Sequence, residues 1–293
     1  MPANMLPGPC ATDIPTPQTP LPAPPDAAGH LSQPATGPPS PGAELVNPAL
    51  KKQANICIAT LNMNGATSPL NGMKLKEKWS HVNIMMKKEK IAVLVLQEMH
   101  LEEHNLAEIA KSYNKKLQIW NSSMPGNLSR SGGVTFILNN ALIAPEDVKL
   151  YVLTAGRVIM LRLKWENGRK LTILNIYAPT DHSQHEAFWA QVDLERQAKH
   201  LLKLDILLGD FNVTEDAVDR SLPSLNERAT INRLRKLQVD WRLQDQWHHD
   251  HLNDRTFTHM HKRNGCYEQA CFDRIYTFKS LKKTLFDGSQ DQQ

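Results

Sequence analysis

The 293-residue chain is poor in cysteine, with only Cys10, Cys57, Cys266 and Cys271. Four scattered thiols exclude a disulfide framework and suit a reducing compartment. Long apolar runs are missing too: none approaches the roughly 18 residues that a membrane span requires. The N-terminus lacks the charged start and apolar stretch of a secretory signal. No membrane partner is therefore expected, and the chain is expected to be intracellular, nuclear or cytoplasmic, and not secreted. An excess of either charge is also absent, with 34 Lys and Arg against 30 Asp and Glu, a formal net charge of +4. That balance permits nucleic-acid binding without arguing for it. No basic run is dense enough to read as an import signal, and no internal repeat is visible.

What is present divides into two regimes. Fourteen of the 19 prolines fall within residues 1–48. Each fixes φ and removes a backbone donor, so residues 1–52 are predicted to be a disordered tail with polyproline character. Residues 53–293 read as one domain. Strands are expected at Ile56–Leu61, Ile91–Leu96, Leu117–Trp120, Gly133–Leu138, Lys149–Leu153, Val158–Trp165, Leu171–Tyr177, Leu204–Leu208 and Cys271–Thr277. Helices are expected at Met73–Lys90, with Leu75, Trp79, Val82 and Met86 on one face, and at Leu101–Lys111 and Glu227–Leu237. Ser183–Lys203 should be the longest, with Phe188, Val192 and Leu194 among its apolar positions. Many strands with a few long helices predict two packed sheets with helices outside. Residues 259–271 and the histidines His248, His249 and His251 read as polar loops. His259, His261, Cys266 and Cys271 lack the tight pairing usual for zinc.

Five strings end apolar runs on carboxylate, amide or phenol groups: LNMNG (61–65), LQEMH (96–100), NIYAPT (175–180), GDFN (209–212) and FDRIY (272–276). In GDFN, Gly209 permits a sharp turn, and Asp210 and Asn212, two apart, share a face. Glu98 directly follows a buried run, where a carboxylate is costly unless paired or metal-bound. Asn62 and Asn64 lie on one side of a strand end. Oxygen-rich sites of this kind suit a hard cation beside a phosphate. Taken singly, each string also reads as an ordinary strand-end turn.

The order and spacing of the five strings resemble the endonuclease/exonuclease/phosphatase (DNase I-like) superfamily. Within it, they are most similar to the endonuclease domain of LINE-type retrotransposons, over about residues 54–287. GGV at 132–134, GDFNVTEDAVDR at 209–220 and the TFTH and FDRIY segments belong to the match. The resemblance implies a four-layer α/β/β/α sandwich of two packed mixed sheets with outer helices. It also implies a Mg2+-dependent phosphodiesterase, with Mn2+ as the alternative ion, acting on DNA as a monomer without a small-molecule cofactor. Carried over position by position, Glu98 and Asn64 match metal ligands, and Asn62 and Thr256 match phosphate- or DNA-binding groups. Tyr177 matches the tyrosine that contacts the scissile phosphate and Asp210 the residue that orients water. Asn212 matches the phosphate-binding amide, and Asp273 the aspartate that fixes a catalytic histidine. Met99 departs from the threonine usual after the glutamate, and Thr180 from a frequent asparagine.

The family pattern ends on Ser/Thr-Asp-His and a further strand. Neither is recognisable in the 20 residues after Asp273, none of which is histidine. The expectation is thus a domain lacking its C-terminal catalytic segment and last strand, with impaired turnover. Two alternatives stay open: an inositol or lipid phosphatase of the same fold, although GDFNVTE lacks the arginine typical there, and a catalytically dead DNA-binding remnant.

Overall fold

Apolar side chains form three separate layers in the protein, which fixes its architecture. The structure, a computed structural model, describes residues 56–63, 75–101, 103–126, 132–144, 148–164, 169–201, 203–222, 228–252, 254–263 and 266–281. The proline-rich tail predicted at 1–52 lies outside these residues, as does Asn64. A first sheet has the order β1 (Cys57–Asn62), β2 (Ile91–Gln97), β4 (Val134–Asn139), β3 (Leu117–Ser122). Its β1–β2 pair is parallel and the other pairs are antiparallel. A second sheet runs β5 (Lys149–Thr154), β6 (Val158–Lys164), β7 (Lys170–Tyr177), β8 (Ile206–Asp210), β12 (Asp273–Phe278), β9 (Leu243–Asp245). There β7 and β8 are parallel and the remaining neighbours antiparallel.

The middle layer joins the two sheets, with Val93, Val95, Phe136 and Leu138 of the first against Ile159, Leu161, Ile173 and Leu208 of the second. Outside the first sheet pack α1 (Leu75–Lys88) and α2 (Glu103–Tyr113), through Trp79, Val82, Met86 and Ile109. Outside the second pack α3 (His185–Ala198) and α4 (Arg228–Trp241), through Phe188, Trp189, Val192, Leu234 and Leu237. The result is the α/β/β/α sandwich. It also explains why β2 is buried along its whole length and apolar up to Gln97: both of its faces are covered. Among the described residues, no helix is long and apolar enough to cross a membrane.

The structure departs from the sequence reading in several places. Helix α3 begins only at His185, after a 3-10 turn over His182–Gln184, and has the same 14 residues as α1 and α4. Leu194 is 60% exposed; it follows Val192 by two residues, which turns it to the solvent side of the helix. Residues 259–271 are not a loop but mainly a hairpin of β10 (His259–Arg263) and β11 (Cys266–Ala270). His248 lies in α5 (Gln246–Asp250), not in a loop. Its Nε2 is 2.8 Å from buried Asp219, and Asp219 also pairs with buried Arg274. Arg274 reaches Asp245 at 2.9 Å. This ionic cluster ties α5 and β9 to β12 from below.

Candidate functional site

Three adjacent strands of the second sheet each place one polar side chain at the same level. Tyr177 of β7 stands opposite Asp210 of β8, and Asp210 opposite Asp273 of β12. Residues opposed in register point to the same face, so a phenol and two carboxylates form a row. The first sheet supplies the facing side. Asn62 pairs in register with Gln97 at the ends of β1 and β2, and Glu98 follows. The Asn62 Nδ2 donates to Glu98 Oε1 at 3.0 Å and to Asp210 Oδ2 at 2.8 Å. One amide nitrogen thereby fixes Glu98 with one bond and crosses to the second sheet with the other. The Tyr177 hydroxyl is hydrogen-bonded to Glu98 as well.

Backbone conformations at these strand ends follow from residue type and close approach. Gly209 has φ of +135°, and a Cβ there would lie 2.0 Å from the Ile176 carbonyl oxygen, so only glycine lets β8 reach β7 before Asp210. Asn212 takes φ of 49°, a left-handed conformation asparagine tolerates. Its backbone N–H donates to Asp210 Oδ1 at 2.9 Å and its side-chain nitrogen to the Ala178 carbonyl at 3.0 Å. Glu98 is also left-handed, at φ 52°, which costs a non-glycine residue energy and is characteristic of sites where geometry is imposed. The chain beyond it is held by GGV: Met99 N–H donates to the Gly133 carbonyl at 3.3 Å and His100 N–H to that of Gly132 at 3.2 Å. Met99 itself is fully buried beneath α1.

The remaining sequence candidates are placed differently. Thr256 is exposed, ahead of β10. Thr258, two residues on, contacts the Asp273 backbone: its Oγ1 accepts from the Phe272 and Asp273 N–H groups, both at 3.1 Å. Thr180 is exposed.

Burial shapes the electrostatics. Asp210 is 4% exposed, and burial, then the neighbouring Asp273 carboxylate, push its pKa up to about 7 against the hydrogen bonds from Asn212 and Asn62. Burial likewise raises Asp273 to about 6, opposed by the Thr258 hydrogen bond and reinforced by Glu98. The Tyr177 phenol is driven upward by burial and then by Glu98 and Asp210, which keeps it protonated and a donor. Burial and neighbouring carboxylates together raise Asp210, Asp273 and Tyr177, an electronegative corner that a cation would relieve.

Two further groups at the site carry no local signal of their pairing. Gln97 and Asn175 are both fully buried and meet between the sheets, Gln97 Nε2 to Asn175 Oδ1 at 2.7 Å. The Asn175 amide nitrogen then donates to the Leu96 carbonyl at 3.2 Å and the Thr135 carbonyl at 3.1 Å. Asn175 is two residues before Tyr177, and Gln97 is one before Glu98. The pair clamps the two sheets directly beneath the groups they carry. Arg157 lies with its guanidinium 5.2 Å from the Tyr177 ring centre and donates to the Tyr177 carbonyl at 3.3 Å. His182 Nε2 is 3.0 Å from the Asn212 carbonyl. A glycine-arginine pair between strands and a histidine three residues after AP are the signals that could have drawn attention to these two.

Two observations bear on a metal. Asp273 Oδ1 is buried and has no hydrogen-bond partner among the described residues, so an acceptor is left available at the row. Among the described residues, no three His, Cys, Asp or Glu groups form a metal cage by themselves. Mg2+ commonly takes one or two carboxylates and completes its shell with water and substrate phosphate. Glu98 with the free Oδ1 of Asp273 fits such a shared site, and the described residues do not make a closed protein cage.

This architecture is the DNase I-like endonuclease fold. Solved structures with the same fold include the endonuclease domain of TRAS1, a telomere-specific non-LTR retrotransposon (TM-score 0.54, 14% identity, 78% of this chain and 88% of that one). They also include AP endonucleases from Leishmania major (TM-score 0.60, 15% identity, 76% and 79% coverage) and Archaeoglobus fulgidus (TM-score 0.57, 19% identity, 78% and 89%). In sequence, the chain is 28% identical over 228 residues to the Transposon TX1 uncharacterized 149 kDa protein of Xenopus laevis. The match covers 77% of this chain and 16% of that relative's length. No protein-family model matches the chain.

Proposed function

We propose that the chain is a divalent-cation-dependent phosphodiesterase of the endonuclease type that cleaves DNA, as in the retrotransposon endonuclease domains it resembles. The observation that carries this reading is the row Tyr177–Asp210–Asp273 on one sheet, joined through Asn62 to Glu98 on the other. All of these groups come from one chain, so the reading requires no second copy.

In this reading Glu98 is the principal metal ligand, with Asn64 and the free Oδ1 of Asp273 as further donors. A bound Mg2+ supplies Lewis-acid stabilisation of charge on the phosphate or leaving oxygen. Asp210 orients the attacking water and takes its proton, since a buried carboxyl raised to about 7 is matched to that transfer near neutral pH. Asn62 holds Glu98 and Asp210 in a fixed relation. Tyr177, a protonated donor, and the Asn212 segment bind the phosphate, and such pre-positioned donors are worth on the order of 10²–10³ in rate each. The hairpin next to Asp273 carries His259 and His261 on one face, and on the other Lys262 with Tyr267, 60% exposed, its ring centre 5.6 Å from the Lys262 ammonium; either face can meet the DNA backbone.

The test is nicking of supercoiled plasmid with Mg2+ or Mn2+. Open circles that need the metal and vanish with Glu98→Ala support the reading. Hydrolysis of inositol or lipid phosphates without any nicking points instead to a phosphatase on the same scaffold.

A further inference from the structure

Lysines that are scattered along the sequence gather at the end of the first sheet away from Glu98. Lys87 and Lys88 close α1, Lys90 precedes β2, and Lys115 and Lys116 precede β3; all five line one cavity of about 940 Å³. Lys88 pairs with Glu89 at 3.3 Å, while the other four make no ion pair among the described residues. Among the described residues, neither Asp nor Glu lines the cavity. Its floor is apolar, made by Leu117, Leu142 and Ile84, and Ile84 is 56% exposed. The walls are tied together, since Asn140 N–H donates to the Lys116 carbonyl at 2.9 Å and the Asn140 side chain to the Asn114 carbonyl at 3.2 Å.

Lysines in a last helical turn ordinarily complement the helix dipole, which accounts for Lys87 and Lys88. It does not account for Lys115 and Lys116, which come from another turn and face the same space. Concentrated ammonium groups around an apolar floor match a ligand that alternates phosphates with flat apolar faces. In duplex DNA the bases are stacked inside and out of reach; in a single strand they are available. We propose that this cavity binds single-stranded nucleic acid, with phosphates on the lysine rim and base faces on the floor. Six residue steps of β2, about 20 Å at strand rise, separate Ile91 at the cavity end from Gln97 beside the nuclease row. The cavity therefore engages a segment other than the phosphodiester at Glu98. Either strand chemistry, DNA or RNA, satisfies it.

The test uses the full chain in EDTA, so that binding is read without turnover and independently of the nuclease reading. The probes are fluorescein-labelled 12-nucleotide single strands of DNA and RNA and a 12-base-pair DNA duplex, followed by anisotropy across a salt series. Lys87→Glu/Lys115→Glu/Lys116→Glu should weaken single-strand binding at least about tenfold and lower the log–log salt slope by about 2, as for three lost single-strand phosphate contacts. Ile84→Ser, an exposed position, should weaken it about threefold with the slope unchanged, because it removes only apolar contact. The duplex should change by less than about threefold in both variants. Equal losses on single strand and duplex, or no loss on either, would overturn the proposal. So would a polyglutamate peptide of matched charge that binds as tightly as the oligonucleotides. Loss of plasmid nicking in Glu98→Ala with single-strand binding intact would separate the two sites.

Discussion

Asp210 and Asp273 are cross-strand partners, opposed in register on antiparallel β8 and β12. Like charges directly opposite each other destabilise a sheet, and here both carboxyls are raised, to about 7 and about 6. Their unfolded-state values lie near 4. A raised carboxyl contributes stability that is fully present below the unfolded-state value and is lost as pH rises through the folded one. In EDTA, the melting temperature should therefore fall as pH rises from about 4 to 8, most steeply between about 5 and 6, where the unfolded carboxyls have ionised and the folded ones have not, and level off above about 7. Asp273→Asn should flatten that fall, and Mg2+ should oppose it at pH 8. Scanning fluorimetry across the pH range reads both, and a melting temperature that rises over this interval in EDTA contradicts the pairing.

The Gln97–Asn175 clamp gives a second prediction. Asn175→Leu removes the acceptor of Gln97 and two donors to backbone carbonyls, and leaves buried partners unsatisfied. The expected cost is about 1–3 kcal/mol in urea unfolding. Because the clamp fixes one sheet against the other under the site, kcat for nicking should fall by more than KM changes. A variant that is less stable yet unchanged in kcat would reduce the clamp to a packing feature.

Gly209→Ala should be among the most damaging single-methyl additions. The new Cβ would fall 2.0 Å from the Ile176 carbonyl oxygen in a left-handed backbone. Separating β7 from β8 by even a fraction of an ångström displaces Tyr177 from Asp210. We expect a loss of about 3 kcal/mol or more, seen as a shifted urea midpoint or as insoluble protein. Near-normal stability would show that the two strands are not packed this closely.

How much of this was legible beforehand can be judged at particular residues. Apolar runs ending in GDFN, LQE and NIY announce strands that stop at a common level, because burial of a whole strand leaves a strong local signal. Asn175 stands inside NIYAPT, but its partner Gln97 is 78 residues away, and no local pattern reveals such pairing. Thr256 and Thr258 are the same residue type two positions apart, and only the register of β10 against β11 and the bonds to Asp273 single out the second. His248 sits among polar neighbours, as in a loop, while its role comes from Asp219 and Arg274 in distant segments. The lysine-rimmed cavity was equally hidden, since KKEK and KK are unremarkable as separate runs.

The ionic cluster around Arg274 yields a fourth prediction. Arg274 is 4% exposed and pairs with Asp219 and Asp245. Arg274→Met leaves both carboxylates beneath β12 without their cation, at an expected cost of about 3–5 kcal/mol. Replacing the two carboxylates as well, in Arg274→Met/Asp219→Asn/Asp245→Asn, should restore part of the loss, because no unpaired buried charge then remains. Urea unfolding of the three proteins is the readout, and a triple variant no more stable than Arg274→Met would contradict the electrostatic account.

The central claim is that groups from two sheets converge on one divalent cation and one phosphodiester. An anomalous difference map from a crystal grown with Mn2+ and a short DNA duplex tests it most directly. The account predicts a peak coordinated by Glu98, with a backbone phosphate between it and the Tyr177–Asp210 row. Mn2+ bound elsewhere, or DNA seated on a face remote from Glu98 and Asp210, would contradict it.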